Sequence, residues 1–221
     1  MDPYNLFIKI LINAIPLVLA ITLHEAAHGY VARAFGDSTA YLQGRVTLNP
    51  IKHVDPIGTV AFPLVTLVFG GIFFGWAKPV PVNFANLRHP RRDMFWVAAA
   101  GPGSNVAQAL AWAALAKGIL SSGSTSGIAD FWYSVAIAGI LWNVAIAIFN
   151  LFPILPLDGG RMLASMLPNA LARRFSRLEP YGMVVLIGFV IALATIPQLG
   201  RTFASLIDGA LTVIGRAFGL L

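Results

Sequence analysis

The chain has 221 residues and a net charge of +6, with 57% of residues hydrophobic and only 11% charged. Soluble domains carry about a quarter charged residues, so this composition excludes an ordinary water-soluble globule and points to an integral membrane protein. The positive charge is expected to report topology at a bilayer rather than a nucleic-acid partner, and the absence of cysteine removes disulfides and thiolate metal sites.

The apolar runs are long enough for helical spans, which need about 20 residues. The first, Tyr4 to Arg33, predicts a helix mildly kinked at Pro16 and ended by Gly36-Asp37-Ser38. It exceeds the apolar core of a signal peptide and reads as a retained helix. Thr39 to Pro56 is polar, with β-branched and aromatic residues, and predicts a short strand-like, membrane-associated stretch. Ile57 to Phe74 is apolar but interrupted by Gly58, Pro63, Gly70 and Gly71, and 75–93 reads as a loop. Met94 to Ile119 predicts another span, in which Gly101-Pro102-Gly103 implies local unwinding or close packing. A Gly/Ser loop, Ser121–Gly127, leads to a fourth segment, Ile128 to Leu155, which Pro156-Leu157-Asp158-Gly159-Gly160 is expected to break. Arg161–Arg177 is basic and partly amphipathic, Pro180–Ile196 is a fifth apolar segment, and 198–221 either lies on the surface or crosses. The expected fold is an all-α polytopic membrane protein with about 4–6 transmembrane helices, a re-entrant segment and the strand-like stretch. It forms one domain over 1–221, a core at 6–179 followed by a C-terminal helix and tail at 180–221.

His24-Glu25-Ala26-Ala27-His28 carries the chemistry. Residues four apart on a helix share a face, so both imidazoles can bind one metal ion. Zinc takes nitrogen ligands and, in a catalytic site, keeps one position for water, which Glu25 can deprotonate as general base. The bland alternative is a pair of buried polar side chains. Ionisable groups within a membrane helix are costly without a partner, and a cation is the partner that fits. A third ligand is then needed. Most of the other acids sit in loops or at segment ends, whereas Asp158 follows a long apolar run within an irregular Pro- and Gly-rich backbone. Such backbone at membrane depth is tolerated where it lines a cavity or is buried in protein, and this favours Asp158 as the third ligand. The competing reading is a helix C-terminal turn with Gly159 as the stop signal. His53 and His89 fall in loops and carry no assignment.

His24-Glu25-x-x-His28, Ala100-Gly101-Pro102-Gly103-Ser104-Asn105 and Asn150…Pro153…Leu157-Asp158-Gly159 together resemble the site-2 protease family. Gly44-Arg45-Val46-Thr47-Leu48-Asn49-Pro50 and Gly75-Trp76-Ala77-Lys78-Pro79-Val80-Pro81-Val82-Asn83 are similar to its short bacterial and archaeal members. The resemblance runs from about Leu6 to Glu179. It implies one zinc ion per chain held by His24, His28 and Asp158, with hydrolysis of peptide bonds within or near the transmembrane helices of membrane-protein substrates. It also implies a substrate-binding role for Asn150, whose amide could steady an oxyanion. Asn105 is carried over as a second substrate-binding position, against helix-packing glue as its competing role. A chain of this length leaves no room for a PDZ or CBS domain. The alternative function is a non-proteolytic zinc-binding membrane protein or metal transporter, in which Glu25 would be idle.

The site also constrains topology. For His24 and His28 to meet Asp158, the first and fourth helices must run parallel with an odd number of spans between them, so 57–74 is predicted to be re-entrant or a short hairpin. The loops on the metal side then hold Arg33, Arg45, Lys52, Lys78, Arg88, Arg91, Arg92, Arg161, Arg173, Arg174 and Arg177, which is 11 of the 15 basic residues. By the positive-inside rule this side is cytoplasmic and the N-terminus outside, in a protein expected at the cell membrane. The strand-like 39–56 stretch is a candidate for pairing with an unwound substrate by strand addition.

Overall fold

The computed structural model describes residues 3–55, 58 and 78–221. Three long helices form its centre: α1 (Pro3–Ala34), α3 (Pro90–Ser121) and α4 (Gly127–Asn150). The short α2 (Thr39–Leu42) follows α1, and α5 (Asp158–Met166), α6 (Asn169–Ser176), α7 (Gly182–Thr195) and α8 (Pro197–Phe218) follow α4. By length and composition, three stretches of the described residues are apolar enough to cross a membrane: Tyr4–Ala34, Gly127–Asn150 and Asn169–Thr195. The last is divided between α6 and α7 by a 3₁₀ turn at Glu179–Tyr181.

Contacts along the helices fix their directions. Ala20, His24 and His28 of α1 bond to Asn105, Asn105 and Val97 of α3, so the two run antiparallel. Asn105 bonds Asn143 while Trp112 lies against Gly139, so α3 and α4 are also antiparallel. Hence α1 and α4 are parallel, as the site required, and Trp142 bonds back to Asn13 across them. The seams are made of small residues: Ala109 and Ala113 of α3 pack against Ile140 and Val144 of α4, with Ile207, Leu211 and Ile214 of α8 laid over them. Small side chains let helix backbones approach where lipid offers no hydrophobic drive for association. The tail 198–221, left open by sequence, is therefore mostly a helix packed on the bundle.

Several sequence expectations shift. The predicted strand-like stretch is not a strand in its described part, 39–55; it holds α2 and a 3₁₀ turn at Pro50–His53. The Asn49 side chain caps that turn by accepting from the Ile51 N–H, and Pro50 supplies the fixed φ that suits its first position. β-branched composition lost here to local side-chain–backbone bonding. The fourth segment stops at Asn150 rather than Leu155, because Pro153 and Pro156 follow. Asp158-Gly159-Gly160 does not break a helix; it is the first turn of α5. Gly101-Pro102-Gly103 is close packing without unwinding, since α3 is continuous through Pro102. The predicted re-entrant segment 57–74 lies outside the described residues except for Gly58.

A strap, residues 78–83, crosses the α1 end of the site. Its start is tied by the Lys78 N–H to the His53 carbonyl at 2.9 Å, and its end by the Asn83 N–H to Asp37 Oδ2 at 2.7 Å. His53 is accordingly buried and structural, its ring bonded to the Thr47 carbonyl. Asp37 is the knot: its fully buried carboxylate also accepts from the Thr39 N–H, the Thr39 hydroxyl and the Asn86 amide. Burial alone would push this carboxyl up, but the bonds from Thr39, Asn83 and Asn86 outweigh it and hold the group below the ordinary aspartate range. A depressed folded-state value means that Asp37 stabilises the fold above the unfolded-state value and loses that contribution as pH falls through the folded one. Asp37→Asn is expected to destabilise the protein by about 1–3 kcal/mol at neutral pH, read as a lowered melting midpoint in detergent. The gap from wild type should close as pH drops below about 4.

Candidate metal centre and active site

Three side chains from two sequence-distant elements meet at one point. His24 and His28 lie one turn apart on α1, and Asp158 opens α5, all three buried. His24 Nε2 lies 3.1 Å from His28 Nε2 and 3.1 Å from Asp158 Oδ2, and His28 Nε2 lies 3.3 Å from Asp158 Oδ1.

The surrounding bonds fix which ring nitrogens face this point. The Asn105 amide nitrogen donates to the Ala20 carbonyl at 3.2 Å and to Asn143 Oδ1 at 2.9 Å, which turns Asn105 Oδ1 toward His24. His24 Nδ1–H donates to that oxygen at 2.6 Å, and His28 Nδ1–H donates to the Val97 carbonyl at 2.7 Å. With both Nδ1 positions protonated, neutral imidazoles point both Nε2 lone pairs at the same place as the Asp158 carboxylate. Asp158 Oδ2 is buried with no hydrogen-bond partner among the described residues. Lone pairs gathered this way repel unless they share a cation. Their spacing matches the edges of a tetrahedron around zinc, roughly 3.3 Å for ligands about 2.0–2.1 Å from the metal. The donor set therefore fits a zinc ion on its own geometry.

Glycines make the room. A Cβ on Gly101 would stand 2.5 Å from His24 Cε1 and from His28 Nε2, so only glycine lets α3 back onto both rings. Beyond Asn150, the turn 151–157, which contains a cis Leu155–Pro156 peptide, folds under α5. A Cβ on Gly159 would collide with the Leu151 carbonyl, and one on Gly160 with the backbone of Ile154. The two glycines after Asp158 thus allow the first turn of α5 to sit on that loop and aim its carboxylate at α1. The placement at a helix N-terminus also favours negative charge.

A cavity of about 890 Å³ opens beside the three ligands. Glu25 lines it with Trp142, Phe149 and Asn150 of α4 and with Met183, Leu186, Val190 and Leu193, one face of α7. Glu25 is half-buried, and its Oε2 accepts the Val80 N–H of the strap at 2.7 Å. Asn150 donates to the Ile146 carbonyl of its own helix at 3.0 Å and borders the cavity. Asn105 does not reach the cavity. It is fully buried behind His24, and its Oδ1 accepts from that imidazole. Asn143 escaped the sequence reading, although an amide inside the apolar α4 was signal enough; it is fully buried and steadies Asn105.

The profile of peptidase family M50 matches residues 118–195. YwhC of Bacillus subtilis, provisionally named a zinc metalloprotease, is 40% identical over 176 residues, covering 77% of this chain and 76% of that protein. The chain belongs to peptidase family M50. Rip2 of Mycolicibacterium smegmatis is 30% identical over 191 residues (86% of this chain, 69% of Rip2), and Rip2 of Mycobacterium tuberculosis is 28% identical over 186 residues, 84% and 67%. Both carry the same provisional description. No solved structure matches. As a member of M50, the chain is a zinc metalloprotease of the site-2 protease type, a membrane protein whose substrates are peptides. The transporter alternative is not favoured.

Gly101→Ala is expected to abolish stoichiometric zinc while leaving a monodisperse protein in detergent, measured by metal analysis and size-exclusion chromatography. Asn105→Ala, which leaves His24 Nδ1 without its acceptor, is expected to weaken zinc about 10–100-fold, read by competition with a chelating dye.

Proposed function

We propose that the chain is an intramembrane zinc endopeptidase that cuts within or near transmembrane segments of membrane-protein substrates, with His24, His28 and Asp158 holding one zinc ion and Glu25 as general base. The observation that carries this reading is the convergence of three lone-pair-bearing atoms beside Glu25, at the wall of an apolar cavity between α1, α4 and α7.

A zinc ion held by His24, His28 and Asp158 would supply electrophilic polarisation of the scissile carbonyl and acidify the attacking water. Glu25 takes the proton of that water and delivers it to the nitrogen of the leaving amine. The Asn150 side chain has a second N–H beyond the one given to Ile146, available to the carbonyl oxygen as it gains charge. A helical substrate hides its carbonyls in its own hydrogen bonds, so the scissile stretch must be unwound when it enters. Trp142, Phe149, Leu186 and Phe203 offer apolar walls for its side chains. With no strand in 39–55, the strap is better placed than that stretch to lie along such a segment.

The metal side carries most of the chain's arginine and lysine, which supports a cytoplasmic active site and an external N-terminus in the cell membrane. The native chain has no cysteine, so single cysteines at Arg174 and at Ser124 report orientation directly. An impermeant thiol reagent applied to whole cells is expected to label Ser124→Cys and spare Arg174→Cys; the reverse pattern overturns the orientation.

The decisive test is cleavage of a single-span membrane substrate in liposomes by wild type and Glu25→Gln, with zinc measured on both. Wild type is expected to cut within the span, while Glu25→Gln keeps zinc and loses about 10²-fold or more in rate. Zinc binding with no cleavage by wild type of any of a panel of spans would return the metal-transport reading.

A further inference from the structure

We propose that Arg45 is a positioning residue for Glu25, acting through the peptide group that joins Pro79 to Val80. The inference rests on the assignment of Glu25 as general base and deepens it. Arg45 belongs to the Gly44–Pro50 motif, to which the catalytic reading assigns no role. Its side chain is 9% exposed, and no carboxylate pairs with it among the described residues. Instead its Nη2 donates to the Lys78 carbonyl at 2.9 Å and to the Pro79 carbonyl at 3.3 Å, while its Nε is buried without a partner among the described residues. A buried guanidinium satisfied only by carbonyls is costly, which calls for a gain elsewhere.

That gain is geometric. The Pro79 carbonyl and the Val80 N–H are two ends of one planar peptide unit. Arg45 grips the oxygen end, and Glu25 Oε2 accepts from the nitrogen end at 2.7 Å. The peptide dipole thus lies between a cation and an anion, aligned with both, and hydrogen bonds in series polarise one another. Fixing the oxygen fixes the direction of the N–H. Pro79 and Pro81 lack N–H groups, so Val80 holds the single backbone donor across 79–81. The Val80 side chain is buried over Gly29, one turn beyond Glu25 on the same face of α1, which sets the strap's height. One carboxylate oxygen of Glu25 is therefore held, and the other is left for the attacking water.

The test uses the full chain, zinc-loaded and purified in detergent, with Arg45→Met, Arg45→Lys and Val80→Pro. Arg45→Met removes the donors and keeps the stem. Val80→Pro removes the N–H itself and leaves Arg45 intact, so it stands in if Arg45→Met fails to fold. Both are expected to lower kcat per bound zinc by about tenfold or more, with KM within about threefold and zinc content unchanged. Arg45→Lys should recover part of the loss, and amide exchange across 78–82 should quicken in Arg45→Met. In a Glu25→Asp background, whose shorter side chain already gives up the Val80 N–H, Arg45→Met should cost less than about threefold further. Unchanged kcat per zinc in both primary variants, or a fully multiplicative loss with Glu25→Asp, overturns the proposal. Wild type that does not cleave, or Glu25→Gln that cleaves normally, instead overturns the base assignment beneath it.

Discussion

Two histidine nitrogens and a carboxylate converge at 3.1–3.3 Å in the buried interior of a membrane protein, and that contact organises the rest of the molecule. Groups that repel one another can stay together where they share a cation, and the three donors match what a zinc ion would take. The demand runs outward from there. α1 and α4 must be parallel for the C-terminal half of one to meet the loop following the other, and α3 must lie antiparallel between them. Gly101 must be a glycine so that α3 can sit on the imidazoles, and Gly159 and Gly160 must be glycines so that α5 can tuck under the turn that precedes it.

Around this centre polar side chains serve in series. Asn143 holds Asn105, Asn105 holds His24, and His24 faces the metal position. On the opposite flank Asp37 and His53 pin the two ends of the strap, and the strap presents one N–H to Glu25. In a low-dielectric interior each such group is expensive alone and stabilising when fully bonded. Among the described residues, one buried polar network thus orients His24 and another ties down the segment that touches Glu25.

The apolar side of the site is less tightly built. α7 lines the cavity with one face, and Phe149, Phe152, Phe189 and Phe203 stack where α4, α7 and α8 approach. Aromatic and aliphatic walls suit an apolar segment, while His24, His28, Asp158, Glu25 and Asn150 supply polar groups to the lining of the same cavity. Hydrolysis needs water, and a transmembrane substrate needs lipid-like surroundings.

The sequence by itself determined the helical membrane class, because composition and run length alone decide what a bilayer accepts. It picked out His24, Glu25 and His28 as candidates, because a motif within one helical turn is geometry already, and the structure brings His24 and His28 beside Asp158. Asp158 was reachable by elimination, since so few acids lie in an apolar chain. The strand-like reading of 39–56 failed in its described part because local capping by Asn49 and the hydrogen bonds to Asp37 outcompeted a weak β propensity. What only the tertiary structure decided are the relations between distant segments: Asn105 behind His24 rather than in the cavity, Asn143 behind Asn105, and Val80 against Glu25. Those pairs lie tens of residues apart, and their meeting depends on the rotation and height of whole helices, which no local pattern encodes.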